Sequence, residues 1–470
     1  MKKEVALLAL VLLAAQACSA QEIMPETVNY ADVIIETGAS GEITGVLSAQ
    51  DTLEVRFIIP AAQEGQEVEY LGETLVMGGE TYNARNEDLN GVMYAVFEIP
   101  DMYKYEKTPR FEIKVRARVK RTASMGLGED FILGKGGWGE EMAEFLEPTE
   151  FIESDANEIV DFTNSEFRGT SEIEAIRGIT EWVNSNITYD RGYYGVKNGA
   201  RETFEIRRGV CGEFANMAAA LMRAKGIPVR YVSGVSYNGE EFNNHGWIEA
   251  YLPGTGWVGV DPTYGEAGYV DALHFPLAKS ADVNDLSNIT VATNTINSVK
   301  AKITLLAPKV SINEVRVFMG IVQASVRKDK GESMQDVGLA IEMKGLQKMN
   351  VIVPVELEMH RDFKIKGISK RLVWLKPGEW GTAEFIVVAP KFETMGAYGR
   401  YEFILLLPDG NISDYIEVYP EGGLSARVAP APKMSAGDAA IQAVKALAIA
   451  GLVLIIAATS IFVLKDLLRK

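Results

Sequence analysis

Cysteine and histidine are scarce in this sequence: its 470 residues include 2 cysteines and 3 histidines. One cysteine, Cys18, lies in an apolar N-terminal segment, so the body of the protein keeps the single thiol of Cys211. An internal disulfide would have to join these two residues, and a disulfide-stabilised scaffold is excluded. The thiol of Cys211 is then either a reactive nucleophile or an inert core group.

An excess of positive charge is also lacking. Lysine and arginine number 47 against 64 acidic residues, which gives a net charge of -17. Nucleic acid is therefore not expected as a partner. An acidic surface either keeps the protein soluble or attracts a cationic substrate. No segment follows the D-x-D-x-D-G pattern of a calcium loop, and the glycine-rich segment 126–142 lacks the Lys-Ser/Thr ending of a phosphate-binding loop. We expect neither a metal nor a cofactor.

Both ends of the chain carry apolar segments. Two lysines, a short apolar core and small residues predict a signal peptide over residues 1–20. The cleavage point decides whether Cys18 is removed or becomes a lipid-bearing N-terminus. Residues 446–464 form a run without charged side chains, and this run is long enough to cross a bilayer as a helix. We therefore expect a single-pass cell-membrane protein with its body outside the cytoplasm.

Two long stretches on either side of a helical region contain short runs of β-branched and aromatic residues separated by turn residues. Their spacing favours two β-sandwich-like domains, the second of immunoglobulin-like type. The predicted fold class is multidomain α+β, with an α+β core between two β-sandwich domains and a C-terminal transmembrane helix. The expected boundaries are 1–20 for the signal peptide, 21–125 for the first β domain, 126–144 for a glycine-rich linker, 145–285 for the core, 295–420 for the second β domain, 421–438 for a linker, 439–464 for the membrane helix and 465–470 for a cytoplasmic tail.

The central region is organised around Cys211. Apolar residues at helical spacing follow it, from Phe214 to Met222, and predict a helix that begins at the cysteine. The helix dipole favours a thiolate at that end. His245 falls on a predicted strand, and Asp261 ends the next one. A thiol, an imidazole and a carboxylate suit a nucleophile, a base and a group that orients the base, so we predict these three residues to be catalytic.

Three motifs in this region resemble those of a known superfamily. They are G-x-C at 209–211, H-x-W-x-E at 245–249 and D-P-T at 261–263. In this order they resemble the transglutaminase-like superfamily of papain-type folds, which includes transglutaminases, microbial cysteine proteases and peptide N-glycanases. The resemblance covers residues 145 to 280. It implies a papain-like core and acyl transfer through a thioester, and it leaves the acyl acceptor open.

Other residues near the motifs are expected to have structural roles. Trp247 either shields the predicted base from water or packs in the core, and Glu249 is expected to anchor a neighbour such as Arg230. His274 follows the aspartate motif and is expected to be a bystander. His360 lies far along the chain and is expected to be structural or exposed.

The segment before the cysteine contributes two predicted helices and a loop. Ser171 with Glu174 is typical of a capping box at a helix start. The loop at 190–201 contains tyrosines that either line a substrate groove or belong to an ordinary surface loop.

Three functions remain open. The favoured one is an exported, membrane-anchored thiol hydrolase that cleaves peptide or side-chain amide bonds in a protein or peptide substrate. The second is a transglutaminase, in which an amine intercepts the thioester and crosslinks proteins. The third is a non-catalytic surface module built on the same core.

Overall fold

The computed structural model describes residues 25–44, 52–105, 108–130, 138–168, 171–283, 289–293, 299–394 and 397–422. The predicted signal peptide and membrane helix lie outside these described residues. Within them, no helix is long and apolar enough to cross a membrane.

The N-terminal region consists of strands that bury alternate residues. In the strand from Arg110 to Thr122, buried apolar residues alternate with more exposed ones, as expected when one face of a strand packs on a core. This strand pairs with its neighbours on both sides, β1 and β3, and β2 pairs with β6. The strands are β1 (Val28–Thr44), β2 (Leu53–Ile58), β3 (Gln66–Met77), β4 (Glu80–Asn83), β5 (Arg85–Leu89), β6 (Val92–Ile99) and β7 (Arg110–Thr122).

The central region combines four helices with an antiparallel sheet whose strand order is β13-β12-β11-β10-β14. Every residue from Glu213 to Arg223 in the fourth helix is buried, and that helix packs against the second helix and against β10 and β11. The helices are α1 (Asn157–Glu166), α2 (Glu172–Asn186), α3 (Ala200–Ile206) and α4 (Cys211–Ala224); the strands are β8 (Thr188–Tyr189), β9 (Arg208–Gly209), β10 (Val229–Tyr237), β11 (Phe242–Leu252), β12 (Gly256–Asp261), β13 (Glu266–Ala267) and β14 (Phe275–Ser280).

Three further strands return to the N-terminal sheets. They are β15 (Ile289–Thr293), β16 (Lys300–Leu305) and β17 (Lys309–Val317). β15 pairs with β2, whereas β16 and β17 both pair with β1. The expected start of the C-terminal β domain at residue 295 is therefore corrected, because residues 300–317 belong to the first sheet. Alternation identifies a strand and its buried face, but it does not identify the strand's partner.

The C-terminal region forms two more sheets. Their strand orders are β18-β20-β24-β22 and β19-β26-β25-β21-β23. The two-sheet, strand-rich arrangement agrees with the β patterning of the sequence, and the immunoglobulin-like type remains a prediction. The strands are β18 (Val322–Lys328), β19 (Gly331–Glu332), β20 (Asp336–Gly345), β21 (Val351–Met359), β22 (Lys364–Lys366), β23 (Lys370–Leu375), β24 (Trp380–Val388), β25 (Gly399–Leu406) and β26 (Ile412–Tyr419).

The central region contacts both β regions through hydrogen bonds. Glu181 on α2 accepts a hydrogen bond from Arg371 on β23 at 2.9 Å. On the other side, the backbone N–H of Ala272 donates to the carbonyl of Val28 on β1 at 2.9 Å. The segment that follows β13 is thus fixed to the N-terminal sheet, a contact that is important for the site described next.

Candidate active site

Cys211 is the first residue of α4, and its side chain is partly exposed. The residue before it, Val210, has an extended backbone, so the chain turns into the helix at the cysteine. Oε2 of Glu213 accepts a hydrogen bond from the N–H of Val210 at 2.8 Å, and Oε1 of the same carboxylate accepts one from the N–H of Asn198 at 3.2 Å. A buried carboxylate therefore fixes the point at which the helix begins.

Gly209 is needed for this close approach. A Cβ atom at residue 209 would overlap the side chain of Glu213, so a larger residue would displace the carboxylate that ties down the helix start. The position of Cys211 thus depends on a glycine two residues before it and on a glutamate two residues after it. Both were present in the sequence, but only the glycine belonged to a motif.

His245 lies on β11, opposite Gly234 on β10, and is almost completely buried. Its Nε2 atom is 2.7 Å from Oδ2 of Asp261. Because a carboxylate only accepts hydrogen bonds, Nε2 carries a hydrogen and Nδ1 is the ring nitrogen left to face another partner. Burial lowers the pKa of His245, but the negative charge of Asp261, the neighbouring Cys211 and the hydrogen bond to Asp261 raise it to about 9.

Asp261 is the last residue of β12 and is completely buried. Oδ1 accepts hydrogen bonds from the backbone N–H groups of Thr263 at 2.7 Å and Tyr264 at 3.2 Å. Burial raises the pKa of this carboxyl, but the charge of His245 and hydrogen bonds from His245 and His274 hold it well below its usual range. The structure therefore brings the predicted nucleophile, base and orienting carboxylate together, with the carboxylate ionised.

His274 also lies in this site, and the expectation that it is a bystander is wrong. Its Nε2 atom is 3.0 Å from Oδ2 of Asp261, the same oxygen that contacts His245. Its Nδ1 atom is 3.2 Å from Oδ2 of Asp271. Burial lowers the pKa of His274, but the charge of Asp271 and the hydrogen bond to Asp261 raise it to about 10. The imidazole therefore binds its proton far more tightly than a free one does.

Aromatic rings enclose the two histidines. The rings of His245 and Tyr264 are stacked, with centroids 4.7 Å apart and planes inclined by 4°. Trp247 is completely buried, its ring centroid is 5.9 Å from that of His245, and it meets His274 edge to face at 5.2 Å. Trp247 therefore satisfies both alternatives given for it, since it packs in the core and covers the histidines.

The expected roles of two other residues are confirmed. Glu249 forms ion pairs with Arg230 at 2.6 Å and with Lys279 at 2.9 Å. His360 follows β21, has a side chain that is 41 % exposed, and lies 3.4 Å from Asp362.

The segment before the cysteine contains short regular elements joined by loop residues. Ser171 caps α2 by accepting a hydrogen bond from the N–H of Glu174, as predicted. Within 190–201, a short 3-10 turn covers Arg191–Tyr193, and α3 begins at residue 200. The hydroxyl groups of Tyr189 and Tyr194 are 3.2 Å apart, and both side chains are exposed.

Among the described residues, two side-chain groups have the ligand types of a metal site. Atoms of His245, Asp261 and His274, and atoms of Glu266, Asp271 and His274, lie within 4.8 Å of one another. In the first group the nitrogen-to-oxygen distances are 2.7 and 3.0 Å, which protons satisfy without a metal. The absence of a metal requirement stays a prediction.

Comparisons with known proteins cover the region of the site. Residues 162–262 match the family model of the transglutaminase-like superfamily. An uncharacterized protein of Mycobacterium leprae is 33% identical over 98 residues, which are 19% of this chain and 34% of that protein. A protein-glutamine gamma-glutamyltransferase of Pseudomonas aeruginosa is 40% identical over 73 residues, which are 13% of this chain and 11% of that enzyme. The chain thus spans about a third of the first relative and about a tenth of the second.

Among solved structures, a protein from Cytophaga hutchinsonii described as a candidate cysteine protease has a TM-score of 0.43 and 18% sequence identity, and the match covers 62% of this chain and 94% of that chain. The family match and the geometry of Cys211, His245 and Asp261 together support a cysteine-type enzyme domain of the transglutaminase-like superfamily at residues 162–262.

Proposed function

We propose that this protein is a cysteine acyl-transfer enzyme that attacks peptide or side-chain amide bonds through a thioester at Cys211. The observation that carries the proposal is the buried contact of 2.7 Å between Nε2 of His245 and Oδ2 of Asp261, combined with a Cys211 close enough to raise the pKa of His245. His245 is the base that takes the thiol proton, and Asp261 fixes the tautomer that leaves Nδ1 free to do so.

The reaction proceeds in two steps. The sulfur of Cys211 bonds to the carbonyl carbon of the amide, the C–N bond breaks, and the amine leaves with the proton that His245 had taken. A second nucleophile then gives its proton to His245, bonds to the acyl carbon and breaks the C–S bond. The thiolate of Cys211 is released, and the imidazolium of His245 restores the starting ion pair.

The start of α4 contributes the stabilisation of negative charge. Cys211 is the first residue of the helix, where backbone N–H groups have no acceptor within the helix and the dipole favours negative charge. The N–H of Cys211 is therefore a donor to the oxyanion that forms in each step. Glu213 fixes this helix start, so the donor is oriented before a substrate binds.

The favoured acceptor in the second step is water, which makes the protein a hydrolase. A protein amine is the alternative acceptor, and the similarity to the Pseudomonas aeruginosa protein-glutamine gamma-glutamyltransferase favours it. An amine acceptor would crosslink proteins, whereas water would cleave or deamidate them.

The proposed place of action is the outer side of a cell membrane. The sequence of residues 1–20 supports export, and the uncharged run within residues 439–464 supports a single-pass anchor. Both segments lie outside the described residues, so this part of the proposal rests on sequence pattern alone.

The test uses the full-length protein carrying Cys18→Ser, in which Cys211 is the only cysteine. We expect casein hydrolysis or incorporation of a labelled amine, abolished by Cys211→Ala and unchanged by His360→Gln, a control on an exposed histidine. Fragments, or glutamine deamidated without incorporated amine, identify the hydrolase, and incorporated amine identifies the transglutaminase. A non-catalytic module would produce neither product with any of the variants.

A further inference from the structure

Two histidines share one oxygen of Asp261. Nε2 of His245 and Nε2 of His274 are 2.7 and 3.0 Å from Oδ2 of that carboxylate. Since a carboxylate oxygen accepts and does not donate, both Nε2 atoms carry a hydrogen. The reaction proposed above uses only His245, so the buried second histidine needs its own explanation.

The opposite nitrogen of His274 faces negative charge. Its Nδ1 atom is 3.2 Å from Oδ2 of Asp271 and 3.9 Å from Oε2 of Glu266. No hydrogen bond joins Nδ1 to these oxygens, but two carboxylates this close to a buried ring favour its protonated form. The carboxylates on both sides of the ring therefore favour an imidazolium at His274, and the upward shift of its pKa has the same direction.

The surroundings of His274 hold this cation in place. Leu273 donates its backbone N–H to Oδ1 of Asp271 at 2.6 Å, and Asp271 donates its own N–H to Oε2 of Glu266 at 3.2 Å. Arg121 on β7, which is partly buried, adds positive charge that acts on Asp271 and Glu266. The two carboxylates are thus shared between His274 and a residue of the N-terminal sheet.

The remaining charged groups of this interior lie farther out. Glu249 interacts with Arg121 and is neutralised by Arg230 and Lys279. Tyr264 lies on the other side of the histidine pair, with its ring centroid 5.5 Å from that of His274.

We infer that His274 is a positioning residue: it fixes Oδ2 of Asp261 next to His245 and, as a cation, weakens the attraction of that carboxylate for the His245 proton. The inference rests on the proposed acyl-transfer function of Cys211 and His245. A base in this reaction must take a proton and then return it, and a carboxylate that bound the imidazolium without competition would hinder the return. The His274 cation, with its ring centroid 5.8 Å from that of His245, supplies the competing charge.

The first experiment measures the pH profile of the His274→Gln variant. The readout is the rate of casein hydrolysis or amine incorporation by the full-length protein carrying Cys18→Ser. Loss of the cation lets His245 hold its proton to higher pH, so the alkaline limb of the profile should move up by about one to two pH units. His360→Gln, which changes an exposed histidine, should leave the limb in place. An unchanged or lowered limb in folded His274→Gln would overturn the inference.

A second variant covers the case in which His274→Gln does not fold. Asp271→Asn removes the carboxylate beside Nδ1 and leaves the ring itself in place. Because His274 then loses its proton at lower pH, the alkaline limb should again move up, by less than in His274→Gln. A limb that stays at the wild-type pH would count against the inference.

A measurement on the protein without substitution at the site tests the charge directly. The chain has 3 histidines, so nitrogen NMR of the histidine-labelled protein gives two nitrogen signals for each of three rings, assigned with His360→Gln and Asp271→Asn. At pH 8 we expect both nitrogens of His274 to be protonated, whereas a neutral ring would overturn the inference. The proposed function fails by a different result: no product from the wild type, together with alkylation of Cys211 that does not depend on His245.

Discussion

The ring of His245 lies flat on the ring of Tyr264, with centroids 4.7 Å apart and planes inclined by 4°. Tyr264 is in turn fixed from two sides: its hydroxyl lies 3.1 Å from Oγ of Ser236, and its carbonyl accepts a hydrogen bond from Nζ of Lys370 on β23 at 2.7 Å. The C-terminal β region therefore contacts the loop that covers the proposed base. A change in Tyr264 should alter how well the imidazole is held.

Replacement of Tyr264 separates the ring from the hydroxyl. Tyr264→Phe keeps the stacked ring and loses the contact with Ser236, so we expect activity within about twofold of wild type. Tyr264→Ala removes the ring, and aromatic stacking of this kind contributes about 0.5–1.5 kcal/mol, so we expect a loss of about 3- to 10-fold. Initial rates of casein hydrolysis or amine incorporation measure both. Equal rates for the two variants would show that the ring does not hold His245.

Asp261→Asn keeps the size of the side chain and removes its charge. We expect the rate to fall by about 10³- to 10⁴-fold, because the amide no longer fixes the tautomer of His245 and no longer stabilises its imidazolium. The variant also leaves the buried His274 without one of its carboxylates, so unfolding should require less urea. Activity and urea unfolding measured together check both expectations. Near-wild-type activity in Asp261→Asn would contradict the role of this carboxylate.

The two buried histidines make the stability of the protein depend on pH. In the folded state the pKa is raised from 6.5 to about 9 for His245 and to about 10 for His274. A raised pKa means that the folded state binds the proton more tightly than the unfolded state does. The stabilisation is therefore complete below pH 6.5 and is lost as the pH rises through 9 and 10.

We expect the urea midpoint to decrease between about pH 6.5 and 10, and His274→Gln to flatten this decrease. His360→Gln is the matched control and should keep the wild-type slope. A midpoint that rises with pH across this window would show that the histidines are not protonated in the folded protein.

Gly246 follows the proposed base on β11 and tests the packing beneath it. A Cβ atom at residue 246 would overlap the hydroxyl of the buried Tyr231, so Gly246→Ala should destabilise the fold by about 1–3 kcal/mol. Gly178→Ala on α2 is the control, since a Cβ there meets Phe167 at an ordinary 3.5 Å and should stabilise the helix by about 0.5–1 kcal/mol. Opposite shifts in melting temperature are expected. Equal shifts would mean that the Tyr231 side chain moves away from the new Cβ atom without a loss of folding stability.

The sequence allowed the three proposed catalytic residues to be predicted because each belongs to a local pattern. Cys211 begins a run of helical spacing, and His245 lies on a strand of alternating residues. Asp261 ends the next strand along the chain, and antiparallel neighbours in sequence are commonly neighbours in a sheet. Local pattern and chain order are enough to place these residues close together.

The same reasoning failed for His274 because its contact depends on long-range structure. After Asp261 the chain runs through a short strand and an irregular segment, and it returns to the site where Ala272 bonds to Val28 on β1 and β14 pairs with β10. No periodicity in the sequence records that contact. The pairing of β16 and β17 with β1 was not predicted for a related reason, because the alternation of residues in a strand does not identify the strand with which it pairs.

The central claim is that Cys211 is an activated thiol held by His245, and one measurement tests it most directly. The rate of iodoacetamide alkylation is followed against pH in the full-length protein carrying Cys18→Ser, with and without His245→Ala, and with His360→Ala as the control. The account predicts rapid labelling below about pH 7 that collapses in His245→Ala and persists in His360→Ala. Slow labelling that rises only near the value of about 8.5 for a free thiol, and that is the same in all three proteins, would contradict it.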